Sequence, residues 1–270
     1  MRRIIIKRFS TVFLSLLVCF SLSACGRKTE AVISGDEDDL HFNEYPTVEA
    51  SNSTKFDYSD LSVNSLKYFM TEDEVKKICG NPVSVHESSE KNSYLNLVYA
   101  EKVYSYNDLT LIFMKMDSNG KGAGASDEGI YRLTAAASVS DKDIFSRGLK
   151  VGDSVDDILN VYYRDMNYPN NYYKSADETV VIGKFLYGEF TMDELDKVST
   201  KEAISYGLLN FNGYASLESA ENYIIEFTYF SPDYKNGTAT VEDNFAQIAF
   251  DIDCDGKITS IRWYYYPEEG

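Results

Sequence analysis

Polar and apolar residues alternate with a period of two along much of the chain, the pattern of strands with one buried face. Six stretches carry it: residues 94–106 (YLNLVYAEKVYSY), 109–116 (LTLIFMKM), 130–138 (IYRLTAAAS), 222–230 (NYIIEFTYF), 245–253 (FAQIAFDID) and 257–266 (KITSIRWYYY). Tyr, Phe, Val, Ile and Thr fill them, side chains that suit a pleated, half-buried surface. Two short stretches have a helical period instead, TEDEVKKIC (71–79) and VGDSVDDIL (151–159). Thr71 with Glu74, and Ser154 with Asp157, stand at capping-box spacing, and acidic residues suit the positive end of a helix. Val75, Ile78 and Cys79 then share one face, as do Val155, Ile158 and Leu159.

These stretches also align with each other: Asp73 with Asp153, Val75 with Val155, Ile78 with Ile158. The turn DSNGK (117–121) echoes DCDGK (253–257). The pattern predicts an α+β fold of two similar units, residues 61–140 and 141–270, each with a short helical start followed by an antiparallel sheet. The second unit carries an insertion, FTMDELDKVSTKEAISYGLL (190–209), which reads as an extra helix, with Thr191 and Glu194 at capping-box spacing and Gly207 near its end.

Upstream the pattern is of another kind. Arg2, Arg3, Lys7 and Arg8 precede an apolar run from Val12 to Leu22, broken by Ser15 and Ser21. The layout is that of a secretory signal. The run is too short to cross a hydrocarbon core of about 30 Å. Leu22–Cys25, LSAC, resembles a bacterial lipobox, and Gly26 resembles the residue that often follows it in Gram-positive lipoproteins. The resemblance implies a signal peptide of residues 1–24, cleavage before Cys25 and a diacylglyceryl group on the Cys25 sulfur. The chain is then held at the extracytoplasmic face of the cell membrane. Each buried CH₂ adds about 0.8 kcal/mol, so two acyl chains hold where one is marginal. Residues 25–60 carry many acids and no sustained period, and read as an acidic tether spanning about 30 Å root-mean-square.

Charge narrows the partners. The chain has 26 Lys and Arg against 43 Asp and Glu, net −17. Such a surface repels phosphate backbones and disfavours nucleic acid. Anionic lipid surfaces repel it as well, which leaves the anchoring to the lipid on Cys25. Cys19 leaves with the signal. Cys79 and Cys254 remain, as one disulfide or as two free buried thiols. No cofactor is expected.

The run DIDCDGKITSIR (251–262) places Asp251, Asp253, Asp255 and Gly256 at the spacing of a calcium loop. Position 12 of that loop requires a bidentate carboxylate and holds Arg262. The flanks alternate with period two. A hairpin with Asp255-Gly256 as a two-residue turn accounts for the same residues: Ile252 opposes Thr259, Phe250 opposes Ile261, Ile248 opposes Trp263, and Asp251 lies diagonal to Arg262 at ion-pair reach. The hairpin is the preferred reading, with calcium at Asp251, Asp253 and Asp255 as the alternative. GKGAG (120–124) lacks the rest of a phosphate-binding loop. His41 lies in the tether and His86 in a loop or edge strand, so no histidine-dependent catalytic set is visible. Among 22 tyrosines, Tyr264 and Tyr266 face away from Trp263 and are candidates for a ligand surface, although tyrosine also fills amphipathic strands.

The doubled pattern, with MTEDEVKKICGNP and KVGDSVDDILNVY as helical starts and DCDGKITSI as the closing turn, resembles the tandem-repeat fold of the β-lactamase inhibitor protein and, more distantly, the small lipoproteins of outer-membrane assembly. The resemblance implies an α+β fold and a non-enzymatic binding role; it carries over no site residues. The expected function is that of a lipid-anchored protein that contacts an extracellular protein. The alternatives are a carbohydrate- or cell-wall-binding lipoprotein using exposed tyrosines, and a hydrolase with a carboxylate site.

Overall fold

The alternating stretches pair side by side into one antiparallel sheet. Residues 54–92, 97–118, 120–165, 172–174, 181–188, 204–211, 222–230 and 245–266 are described in the computed structural model. The sheet has ten strands, in this spatial order: β3 (Ser84–Asn92), β4 (Leu97–Tyr106), β5 (Leu109–Met116), β6 (Ile130–Ser138), β12 (Ile258–Tyr266), β11 (Phe245–Asp253), β10 (Asn222–Phe230), β9 (Ile204–Asn210), β8 (Val181–Tyr187) and β7 (Tyr172–Lys174). β1 (Ser62–Val63) and β2 (Leu66–Lys67) form a separate short hairpin. The α-helices among the described residues are α1 (Glu72–Cys79) and α2 (Val155–Val161). The class is α+β, dominated by antiparallel sheet.

Strands β5, β6, β10 and β11 have the predicted bounds, and β12 begins one residue later than predicted. Strand β3 carries His86, for which the sequence allows a loop or an edge strand; its bounds are not legible in the sequence. Its sequence, SVHESSEKN, is polar on both faces because Ser84–Ser89 lies exposed or half-buried at the edge, so no burial imprints a period. The inserted helix needs correction. Residues Ile204–Asn210 form β9, a strand buried on both faces: Tyr206 and Leu208 on one side, Leu209 on the other. Gly207 does not end a helix. It sits mid-strand, where a Cβ would meet the rings of Phe227 and Tyr187 at 2.9 Å, so its lack of a side chain permits the packing. Residues 190–203 lie outside the described residues.

Both helix starts form as predicted. Thr71 accepts from the Glu74 N–H while Glu74 accepts from the Thr71 N–H at 2.8 Å; Ser154 and Asp157 repeat this, again with a 2.8 Å return bond. The stretch leading into each cap docks on the last strand of the sheet segment beside it. The Phe69 N–H donates to the Leu133 carbonyl and the Leu133 N–H returns to Met70, both 2.8 Å; Gly152, Ile258 and Asp153 make the same pair of bonds at 2.9 Å. Val75, Val155, Ile158 and Leu159 are buried as expected. Ile78 is not: it is 47% exposed, at the rim of the sheet.

The helices cover one face of the sheet, where the core lies. One row of it runs across seven strands, through Tyr104, Leu111, Ala136, Trp263, Ile248, Phe227 and Gly207. The N-terminal approach is also packed. Residues 54–60, assigned to the tether from their sequence, bury Phe56 and Asp60 and form a 3-10 turn at Tyr58–Asp60. Arg147 fastens them with two bonds to the Asp60 carboxylate at 2.7 Å and further bonds to the carbonyls of Thr54, Lys55 and Val161.

Candidate functional site

The second face of the sheet, opposite the core, holds the candidate site. Strand alternation sends Trp263 and Ile261 into the core and Ser260, Arg262 and Tyr264 the other way. Register then sets their neighbours. One row reads Ala137, Arg262, Ala249, Glu226, and the next Ala135, Tyr264, Gln247, Thr228. The alanines beside Arg262 leave room for its long side chain to lie along the sheet. Asp251 accepts hydrogen bonds from Arg262 Nη1 and Ser260 Oγ. The Tyr264 hydroxyl donates to Gln247 Oε1, and Gln247 Nε2 donates to Thr228 Oγ1 at 3.0 Å. Thr228 and Gln247 are buried polar residues, and this chain of bonds satisfies them.

Glu226 is the unusual member. It is half-buried, but the protein packed around it strips its hydration and pushes its pKa up to about 7; Arg262 opposes that rise and the Asp251 charge adds to it. The group therefore changes charge near neutral pH.

The calcium candidates are not drawn together. Asp251 is held by Arg262 and Ser260. Asp253 Oδ1 accepts from the backbone N–H of Asp255 at 3.0 Å and of Lys257 at 2.8 Å, and Asp255 is exposed at the turn. Among the described residues no group of three or more His, Cys, Asp or Glu side chains gathers to hold a metal. The hairpin itself is present with four of the expected pairs, Ile248 with Trp263, Ala249 with Arg262, Phe250 with Ile261 and Asp251 with Ser260. Its turn is longer than predicted. Gly256 donates to the Asp253 carbonyl and Asp253 to that of Lys257, which makes a three-residue loop with Gly256 at φ +72°. Ile252 consequently pairs with Ile258 instead of Thr259, and a bulge at Thr259 restores the register. A left-handed glycine suits the longer loop, and the sequence pair Asp-Gly fits both loop types.

Tyr264 faces away from Trp263 as expected and is half-buried in the Gln247 network. Tyr266 ends β12 opposite Phe245. Cys25 lies outside the described residues. Cys79 and Cys254 do not pair with each other: the first is half-buried at the end of α1 and the second exposed on the turn. His86 stands on the exposed edge strand β3. The GKGAG stretch is structural: Gly120 turns the chain at φ +81°, Gly122 bridges to Met116, and the Ala123 carbonyl accepts from the Ala100 N–H.

Sequence reading missed Glu226, Gln247 and Thr228. Glu226 is an acid inside an otherwise apolar alternation, which is a signal, but the pairing of β10 with β11 that brings it to Arg262 spans a 14-residue connection, too long for its Asn236-Gly237 pair to fix the register. No helix among the described residues is long and apolar enough to cross a membrane. No protein family, no curated protein and no solved structure matches this chain.

Proposed function

We propose that this chain is a lipid-anchored extracytoplasmic binding protein, non-enzymatic, whose mature part consists of two similar α+β units and contacts another protein. The observation that carries the binding role is a division of labour on the surface. Polar side chains on the second face are engaged with one another: Asp251 with Arg262 and Ser260, Gln247 with Thr228 and Tyr264. Meanwhile three of the six large apolar side chains that stand exposed among the described residues fall within eight residues of one another: Ile78 at 47%, Val83 at 74% and Val85 at 49%; Ile130, Val139 and Ile144 are the others. Exposed apolar groups close together in the chain suit a protein partner.

Local geometry supports the doubled architecture. The turns at Asp117–Lys121 and Asp253–Lys257 share three hydrogen bonds, including one from the Lys N–H to Asp Oδ1 at 2.9 and 2.8 Å. Both last strands carry a bulge at a threonine, Thr134 and Thr259. Asn64 and Arg147 both take left-handed backbone, at φ 53° and 58°, just before Leu66-Lys67 and Leu149-Lys150. On this alignment Thr71 matches Ser154, and Val75 matches Ile158 in place of Val155. Strands β6 and β12 meet between the units, with Ala137 opposite Arg262 at the centre of an approximate two-fold relation.

Two measurements test the proposal. Mass spectrometry of the membrane fraction is expected to find a diacylglyceryl group on Cys25, and an unmodified Cys25 in the mature protein refutes the anchor. Affinity capture from the native cell surface is expected to retain a protein; saturable binding on a glycan array with no protein retained refutes protein contact and favours carbohydrate. A second reading, a hydrolase with a carboxylate site, draws on the raised pKa of Glu226 beside Asp251. Glycosidase activity lost in Glu226→Gln would establish it.

A further inference from the structure

The two ends of the sheet are built differently. At one end the outermost described strand is β7 (Tyr172–Lys174), bulged between Tyr173 and Lys174. A bulge is a device that keeps an edge from pairing with other chains. At the other end lies β3. It is nine residues long, contains no proline, and pairs with β4 from Ser84↔Ser105 to Asn92↔Leu97 without a register shift. Its outer edge pairs with no described strand.

The two-unit alignment shows what belongs there. In the first half a core row runs Val85, Tyr104, Leu111, Ala136. The matching row in the second half is Leu209, Ile225, Phe250, Ile261. Strand β3 therefore occupies the place of β9. Yet β9 is an inner strand: β8 pairs antiparallel along its outer side, with Lys184 opposite Leu209 and Phe185 opposite Leu208. Leu209 is 3% exposed under that cover, whereas Val85 is 49% exposed. The same position is apolar in both halves and covered in only one.

We propose that the outer edge of β3 receives an extended segment of another polypeptide, antiparallel to β3 along Val83–His86, in the position that β8 holds against β9. The inference rests on the two-unit, protein-binding reading above and locates its contact. The occupant completes the backbone ladder and sets alternate apolar side chains beside Val85. Basic residues in it suit the acidic chain as a whole, net −17; Glu87 on β3 is exposed but already stands 3.5 Å from Lys102.

The probe is a synthetic peptide with the sequence of β8, Val181–Tyr187, flanked by lysines and added to the intact chain. Fluorescence anisotropy is expected to show saturable binding that weakens at least tenfold in Val85→Asp and is unchanged in Val139→Asp, an exposed valine elsewhere. Amide hydrogen exchange is expected to gain protection within residues 83–87. Unfolding midpoints, followed by the fluorescence of the single tryptophan, confirm that both variants fold. Absence of binding, equal binding to Val85→Asp, or protection confined to β9 each overturn the proposal; the last signifies exchange with the native β8. A native partner captured equally by the wild type and Val85→Asp removes β3 as the site and leaves protein binding standing.

Discussion

Replacing Arg147 by methionine keeps an unbranched stem as far as about the Nε position and removes the charge and five hydrogen bonds. Asp60 then loses its cation and keeps the Asp57 N–H, which donates to Oδ2 at 3.2 Å. Its carboxylate, with side-chain exposure of 6%, receives both Nε and Nη2 of Arg147 at 2.7 Å. Removing one member of a buried pair costs about 3–5 kcal/mol, because the other is left without compensation. The Val161 carbonyl also loses a 2.6 Å bond in a part-buried setting, about 1 kcal/mol. Thr54 and Lys55 are exposed, so water replaces their bonds at little cost. The guanidinium also lies 4.0 Å over the Tyr162 ring, a contact that methionine keeps only as packing. A loss of about 4 kcal/mol is a large share of an ordinary domain's stability of about 5–15 kcal/mol.

The assay is built into the chain. Trp263 is the single tryptophan, fully buried, and its indole N–H has no hydrogen-bond partner, so unfolding into water shifts its emission strongly to the red. Urea titrations of the wild type and Arg147→Met are expected to show parallel transitions, with the variant's midpoint lower by roughly 1.3–2 M if the slope is about 2–3 kcal/mol per molar. Adding Asp60→Asn removes the uncompensated charge and is expected to recover part of the loss. A cost below about 1 kcal/mol, the range of an exposed ion pair, or a double variant no better than Arg147→Met, refutes the claim that this buried pair secures residues 54–60.

Three further outcomes follow from the same geometry. The carboxyl of Glu226 binds its proton more tightly in the folded state than in the unfolded chain, so folding loses stability as pH rises from about 4.5 through about 7; Glu226→Gln is expected to match the wild type near pH 4 and to exceed it by up to about 3 kcal/mol at pH 8, and a pH-independent difference in urea midpoints refutes this. Ser154→Ala removes the hydroxyl that caps α2 at 3.3 Å and is expected to cost about 1 kcal/mol, with Ser154→Asp close to the wild type; equal midpoints for all three sequences show that the cap contributes nothing. Gly256→Ala has steric room, its nearest neighbour being Val155 at 4.0 Å, yet it must adopt φ +72° and is expected to lose about 1 kcal/mol in thermal unfolding, whereas Gly256→Asn loses less; an alanine variant as stable as the asparagine variant contradicts the left-handed turn.

What the sequence disclosed depended on how each segment is buried. Strands with one face in the core, such as β5, β10 and β11, carry the period of two and were found with their bounds. Strand β3 has no buried face along Ser84–Ser89 and left no period. Strand β9 is buried on both faces, so SYGLL reads as a continuous apolar run, and the capping spacing at Thr191 and Glu194 drew it into a helix. The helix caps were legible because a capping box is local, complete within four residues. Ile78 failed because helical phase gives a face but not the extent of what covers it; α1 runs to the rim of the sheet, and its last turn overhangs. The Asp251–Arg262 pair was legible through a hairpin, since a short turn ties two strands within a dozen residues. Glu226 was not, since its strand joins them across a long connection.

Under the two-unit proposal, an approximate two-fold relation between the halves bears on where chemistry can sit. On its axis Ala137 and Arg262 are direct partners. A strict copy of the second half would put arginine at both positions, and like charges directly opposite one another destabilise a sheet. A strict copy of the first would put alanine at both and leave the second face without a cation. One arginine facing one alanine resolves the conflict. The Arg262 guanidinium leans toward the second unit, where Asp251 receives it and Glu226 lies across Ala249 in the same row. A polar cluster then forms around Arg262 on the second face. The ends of the sheet differ as well: β8 pairs along the outer side of β9, whereas no described strand pairs along the outer side of β3. Under the two-unit reading, the half that carries the Arg262 cluster is the half whose β9 edge is covered, and the other half keeps Val83 and Val85 exposed. On that reading, two copies of one element carry surfaces of different character in a single sheet: a polar row whose side chains bond to one another in the second, and an exposed apolar strand edge in the first.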